Sequence, residues 1–140
     1  MSERMSTTLT HDEWQELRAA ARAASRNAHC PYSRFPVGAA VRTVDGRVFR
    51  GCNVENASFG LTICAERNAI FQAVAAGARD IVAVAVYTST AQPVSPCGAC
   101  RQVCAEFAVR EVMSCCDGED TRCWTVDDLL PDSFRLDARS

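Results

Sequence analysis

The chain contains no lysine; all fifteen of its basic residues are arginine. That is read as compositional bias and is assigned no function. Nor is there a surplus of positive charge. The formal net charge is -2 and there is no long basic run. The basic face that a nucleic-acid binder presents is therefore missing, and no nucleic-acid partner is expected. No stretch approaches the apolar length of a membrane span. Met1 to Trp14 is polar and charged and lacks the apolar run of a secretory signal. The expected location is cytoplasmic, with no membrane partner. Internal repeats and low-complexity segments are absent too. Histidine is scarce, and His29, alone in a loop, reads as a surface residue. Cysteine is what the chain has in quantity: there are nine, an odd number that leaves at least one unpaired. In a reducing compartment cysteines stand for metal binding, catalysis or small buried side chains, not for a disulfide framework.

The 140 residues suit one domain, 1–140, with residues 1–9 read as a disordered tail. A chain of this length buries a core without a structural metal. Thr10 followed three residues later by Glu13 makes a capping box. Trp14, Leu17, Ala21, Ala24 and Ala28 recur at helical spacing, which predicts a helix over 11–27. Strands are expected over 35–44 and 47–52, joined by Asp45-Gly46, a strong hairpin signal. A helix over 64–76 is stopped by Gly77. The unbroken apolar run 81–88 predicts a strand buried on both faces. A second short helix, 97–107, is entered through Pro96. Strands over 111–116 and 121–126 follow, then one turn of helix, 126–130, capped by Thr125. A hairpin followed by alternating strands and helices implies an α/β fold with a mixed sheet covered by helices. Ligands of such sheets bind at strand ends beside helix N-termini.

Both cysteine motifs fall where a loop enters a helix. Cys97 and Cys100, three apart, can turn both sulfurs toward one ion, and Cys64 stands at another helix start. The N-terminus of a helix carries partial positive charge and free N–H donors, and both favour thiolate over thiol. Three protein ligands leave the fourth tetrahedral position of a catalytic zinc open, and the neighbouring carboxylate of Glu66 can move protons. The Pro-Cys-x-x-Cys half and the use of three cysteines match the signature of zinc deaminases. Three thiolates and Zn²⁺ sum to a negative site, which Arg67 can offset by donating to sulfur. Two other readings use the same residues. A Cys-x-x-Cys pair can be a redox couple, although a redox couple needs neither Cys64 nor Glu66. Cys104, one helical turn beyond Cys100, could complete a four-cysteine structural zinc. Cys30, Cys52, Cys115, Cys116 and Cys123 lack metal-like spacing. Asn53-Val-Glu-Asn56, taken alone, is turn chemistry.

From about Trp14 to Phe134 the chain resembles the small homotetrameric zinc-dependent cytidine deaminases. The motifs that carry the resemblance are YSRFPVGAA at 32–40, GCNVENA at 51–57, CAER at 64–67, SPCGACRQ at 95–102 and LLPDSF at 129–134. The resemblance implies a three-layer α/β/α sandwich with a mixed five-stranded sheet. It implies one Zn²⁺ per chain on Cys64, Cys97 and Cys100, with Glu66 as the catalytic proton shuttle and Arg67 bonded to the ligand thiolates. Phe35 would pack on the pyrimidine. Asn53 and Glu55 would hold the ribose 3′-hydroxyl, which replaces the turn reading of that loop. The Ala65 main chain would contact the base, and the Ser95 carbonyl would lie near the departing amino group. Ala57, Phe59 and Phe134 would reach into a neighbour's site in a homotetramer. Many members have tyrosine where this chain has Phe59, so a hydroxyl at the subunit boundary is lost.

The implied reaction is hydrolytic deamination of cytidine and 2′-deoxycytidine to uridine and 2′-deoxyuridine, as in pyrimidine salvage. Glu66 would protonate N3 while water enters at C4 and ammonia leaves. A deaminase of a blasticidin-type nucleoside antibiotic shares the zinc motifs, but Asn53, Glu55 and Arg67 favour cytidine. A polynucleotide cytosine deaminase typically has histidine as first ligand and needs a basic surface; Cys64 and the net charge oppose it. A non-catalytic structural-zinc interaction module would need a fourth protein ligand and no Glu66.

Overall fold

The computed structural model describes residues 9–136. Helix α1 (His11–Ser25) is followed by strands β1 (Val37–Thr43) and β2 (Val48–Cys52) and by a single 3₁₀ turn at Phe59–Leu61. Helix α2 (Ala65–Ala75), strand β3 (Ile81–Thr88) and helix α3 (Gly98–Glu106) come next. Strands β4 (Glu111–Cys115) and β5 (Thr121–Thr125) and the short helix α4 (Val126–Leu129) complete the described chain.

The expected capping box is present. Glu13 N donates to Thr10 Oγ1 at 3.1 Å and Thr10 N to Glu13 Oε1 at 2.9 Å. Leu9, assigned from the sequence to the tail, is instead buried in the same core cluster as Trp14. An apolar residue just before the cap and one in the first turn staple the helix entry in this way, so Leu9 belongs to the fold. Residues 1–8, the rest of that tail, lie outside the described residues. Helix α1 ends two residues short of expectation because Asn27 N and Ala28 N bond to Ala24 O and Ser25 O, three residues back. Bonds of that span tighten and close a last turn. His29 is exposed, as expected of a surface loop residue, but its main chain is engaged. His29 N donates to Asn53 O at 3.0 Å, and its carbonyl accepts from Glu55 N at 2.7 Å.

The five strands form one sheet in the order β2-β1-β3-β4-β5. Strands β3 and β4 are parallel; the other pairs are antiparallel. At the β1–β2 hairpin Gly46 has φ +90°, the conformation its turn position requires. All eight residues of β3 are buried, as a central strand covered on both faces must be. Alternate residues serve opposite layers. Ala40, Ala83, Ala85 and Tyr87 pack with Trp14, Leu17 and Ala21 of α1. Ala39, Val41, Val84, Val86 and Val112 pack with α2, α3 and α4 through Ala69, Ile70, Cys104 and Leu129. The result is the expected three-layer α/β/α sandwich on a mixed five-stranded sheet.

Two glycines let the helices sit close to the sheet. A Cβ on Gly38 would lie 1.9 Å from Ala21 O of α1, and one on Gly51 would lie 2.4 Å from Ala69 N and 2.7 Å from Ala65 O of α2. Both obstacles are backbone and cannot rotate away. Gly51 thus sets the height of α2, whose first turn carries Cys64 and Glu66. Gly51→Ala is expected to cost about 2–3 kcal/mol by overpacking and to weaken metal retention with it. Thermal melting of the metal-loaded protein reads this, and an unchanged melting temperature would contradict the close approach.

Candidate active site

Cys64 is the N-cap of α2 and Cys97 the N-cap of α3. Neither thiol caps its own helix by a side-chain hydrogen bond, so both sulfurs are turned to each other. Cys64 Sγ lies 3.6 Å from Cys97 Sγ, and Cys97 Sγ lies 3.4 Å from Cys100 Sγ. All three sulfurs fall within 4.8 Å of one another. Sulfurs at about 2.3 Å from a tetrahedral zinc stand about 3.8 Å apart, so this triangle is the size the ion requires. Burial rises from Cys97, which is exposed, to Cys100, which is buried.

Arg67, on the same turn as Glu66, donates from Nη2 to Cys64 Sγ at 3.5 Å. Its Nε is buried and has no hydrogen-bond partner, an orphaned donor beside a cluster whose thiolates would accept it. Hydrogen bonding from Cys100, and then from Arg67 and Cys97, draws the Cys64 thiol down to about 5 against the effect of burial. Cys100 moves up, because it is hydrogen-bonded to Cys64 and desolvated. The guanidinium of Arg67 is held charged more firmly by the Cys64 bond. The donor set and its spacing fit a zinc ion. Burial pushes Glu66, only 5% exposed, up to about 7, and the charge of Cys64 adds to this. A carboxyl poised there can both take and return a proton near neutral pH.

Cys104 does not join the cluster, which among the described residues contains Cys64, Cys97 and Cys100 alone. Its thiol is buried in the core, which pushes it up to about 12. Cys115 is likewise buried and raised to about 11.

A cavity of about 270 Å³ opens over the cluster, lined by Cys64, Ala65 and Glu66 on its floor. Phe35, Asn53, Glu55 and Ser95 also line it, so six expected substrate and catalytic residues meet around Cys64. Asn53 has a structural task that the sequence did not reveal. Its Oδ1 accepts from Val37 N at 2.9 Å and its Nδ2 donates to Phe35 O at 2.9 Å. That clamp starts β1 at Val37, two residues later than expected, and releases Phe35 from the ladder into the cavity wall. Glu55 Oε1 accepts from Tyr32 N at 3.0 Å and Ser33 N at 3.1 Å, while Oε2 accepts from Ser33 Oγ. Ser33, on this network chiefly, lowers the Glu55 carboxyl below its ordinary value.

Ala57, Phe59 and Phe134 do not line this cavity. They stand on the surface, Phe59 74% and Phe134 69% exposed. Phe59 meets Tyr32 edge-on, with ring centroids 6.0 Å apart, beside a second cavity that shares Ser33, Glu55 and Thr62 with the first. Sequence reasoning missed Ser33, Val37, Thr62, Val86, Thr88 and Val94 as lining residues. The end of β3 could have been found from the rule that ligands meet strand ends. It also missed Ser114. This fully buried hydroxyl accepts from Val94 N at 3.1 Å and donates to Val94 O at 2.6 Å, fixing the loop before Pro96. A serine inside an apolar strand was its one signal.

Thiols converging from two helix starts on a buried carboxylate, at the rim of a mixed α/β sheet, define a metal-dependent hydrolase of the deaminase class. Residues 11–116 match the family model described as the cytidine and deoxycytidylate deaminase zinc-binding region. A cytidine deaminase of Halalkalibacterium halodurans is 52% identical over 114 residues, covering 79% of this chain and 86% of that one. A cytidine deaminase of Mycobacterium tuberculosis is 42% identical over 125 residues, covering 89% and 92%. The crystal structure of cytidine deaminase from Burkholderia pseudomallei superposes with a TM-score of 0.83 at 51% identity, covering 90% of this chain and all of that one. The chain belongs to the cytidine and deoxycytidylate deaminase family and carries its zinc-binding region.

Cys104→Ala is expected to leave the metal content at one ion per chain, whereas Cys100→Ala lowers it. Elemental analysis of both purified variants decides, and equal loss in the two would make Cys104 a ligand.

Proposed function

We propose that this chain is a zinc-dependent hydrolase that deaminates cytidine and 2′-deoxycytidine, with Cys64, Cys97 and Cys100 as zinc ligands and Glu66 as proton shuttle. The observation that carries the reading is the single cavity in which Cys64, one corner of the thiol triangle, meets a buried carboxyl raised to about 7 and the unspent valences of Asn53 and Glu55. Bound zinc supplies a water acidic enough to attack at neutral pH. The rest of the chemistry belongs to the chain. Glu66 would take the proton of the attacking water and deliver it to N3 as oxygen bonds to C4 and the N3–C4 double bond becomes single. Glu66 would then take the proton of the new C4 hydroxyl and pass it to the amino nitrogen, so that the C4–N4 bond breaks as the C4 carbonyl forms and ammonia leaves past the Ser95 carbonyl. Phe35 offers the base a flat apolar wall, and the Ala65 N–H lies in a first helical turn, where intrahelical acceptors are lacking.

The ribose contact follows from counting valences. A carboxylate has about four acceptor sites and a carboxamide two N–H donors. Glu55 has spent three of its sites, two on Oε1 and one on Oε2. Asn53 has spent one N–H on Phe35 O. One acceptor site on Glu55 Oε2 and one N–H on Asn53 remain, which is what a single hydroxyl consumes. Leaving them empty in a closed site is costly, so free cytosine is expected to be a poor substrate.

The oligomer is part of the proposal. Tyr32, Phe59 and Leu61, each more than half exposed, put apolar surface beside the cavity mouth. A neighbouring copy would cover it, with Ala57, Phe59 and Phe134 entering the adjacent site of a homotetramer. The site lies within one domain, and among the described residues no helix is long and apolar enough to cross a membrane. A cytoplasmic role in pyrimidine salvage is the setting that fits this activity.

The test is ultraviolet-monitored conversion of cytidine to uridine with zinc measured in the same sample. Turnover at one zinc per chain, abolished by chelation, is expected. Glu66→Gln should keep the metal and lose about 10²–10⁴-fold in kcat, the usual contribution of a positioned general acid–base. Near-full activity in that variant would remove Glu66 from the mechanism.

A further inference from the structure

Ser33 belongs to no zinc motif, yet its side chain bonds both Glu55 and Phe35. Its Oγ donates to Glu55 Oε2 and accepts from Phe35 N at 3.1 Å, while its own N–H donates to Glu55 Oε1 at 3.1 Å. A hydroxyl has one proton to give, and this one goes to the carboxylate oxygen that retains a vacant acceptor site. The segment is bent to allow it. Arg34 has φ +56°, a left-handed backbone that costs a non-glycine residue energy and persists where the surroundings enforce it. The Arg34 N–H is tied to Cys30 O at 2.9 Å. With Arg34 turned in this way, Ser33 and Phe35 both face the cavity.

On the reading of the function given above, we propose that Ser33 is a specificity-determining residue that positions Glu55 Oε2 for the 3′-hydroxyl of a nucleoside and couples it to the Phe35 platform. Without the Ser33 hydroxyl, Oε2 has two vacant sites and no fixed direction. Glu55 is then held at Oε1 alone, by the main-chain N–H groups of Tyr32 and Ser33. The Phe35 N–H loses its acceptor in the same step. The main-chain anchors survive, so the carboxylate stays near the cavity but loses its aim. Recognition of the ribose should suffer while the thiol cluster and Glu66 are untouched.

The experiment compares cytidine with 3′-deoxycytidine in the zinc-loaded wild type, Ser33→Ala and Ser33→Thr. Wild type should prefer cytidine strongly in kcat/KM. Ser33→Ala should lower kcat/KM for cytidine about tenfold more than for 3′-deoxycytidine, chiefly through KM, so the preference collapses by about that factor, while the lost acceptor of Phe35 N weakens both nucleosides alike. Ser33→Thr, which keeps the hydroxyl, should restore it. Inhibition by uridine and 3′-deoxyuridine should follow the same ratio, a readout free of the chemical step. Zinc content and melting temperature establish that each variant is folded. A preference unchanged in Ser33→Ala, or a parallel loss on both nucleosides, overturns the inference alone. A wild-type chain inactive on cytidine overturns the functional reading, and the inference with it.

Discussion

Two helices begin at one point, and the site depends on that meeting. Helix N-termini carry unpaired N–H groups and partial positive charge, so a pair of them aimed at one spot stabilises negative sulfur there. Cys64 and Cys97 occupy the two cap positions, and Cys100 follows one turn into the second helix. Arg67 adds a formal positive charge 3.5 Å from Cys64 Sγ. The low value of the Cys64 thiol and the high value of Glu66 are two faces of this arrangement. The first is bonded by its neighbours, and the second is desolvated beside a negative charge.

The sheet makes the meeting possible. Helix α2 lies on Gly51 of the edge hairpin, where no other residue fits beneath Ala65 and Ala69. Helix α3 is the crossover between β3 and β4, the parallel pair, and a crossover brings the start of its helix to the end of the preceding strand. The hydroxyl of Ser114, on β4, holds the connecting loop at Val94. The cavity floor is thus set by backbone packing, and its walls by hydrogen bonds between segments distant in sequence.

That division explains what could be read from the residues alone. Thr10 with Glu13, Asp45-Gly46, Gly77 and the apolar run over β3 are local signals, each sufficient for its own element, and the structure bears all of them out. The cysteine spacing beside Glu66 pointed to zinc chemistry without any knowledge of the path between the motifs. The unread features share a different origin. Leu9 becomes core because Trp14 is folded next to it. Asn53 delays the start of β1 because its amide reaches a strand sixteen residues earlier. Ser33 and Ser114 act across about twenty residues each. Nothing in their immediate neighbours announces a partner so far along the chain.

The right-hand half of the metal triangle lies beyond β3, and this has a bearing on synthesis. A chain growing from its N-terminus completes the hairpin, α2 and the buried strand while it owns a single sulfur of the three. The ion cannot be gripped by all three sulfurs until residue 100 has emerged, and the crossover through α3 is not closed until β4 follows it. The full triangle therefore cannot hold a metal before residue 100 has been made, and the binding energy it releases favours the finished chain over its partly made precursors.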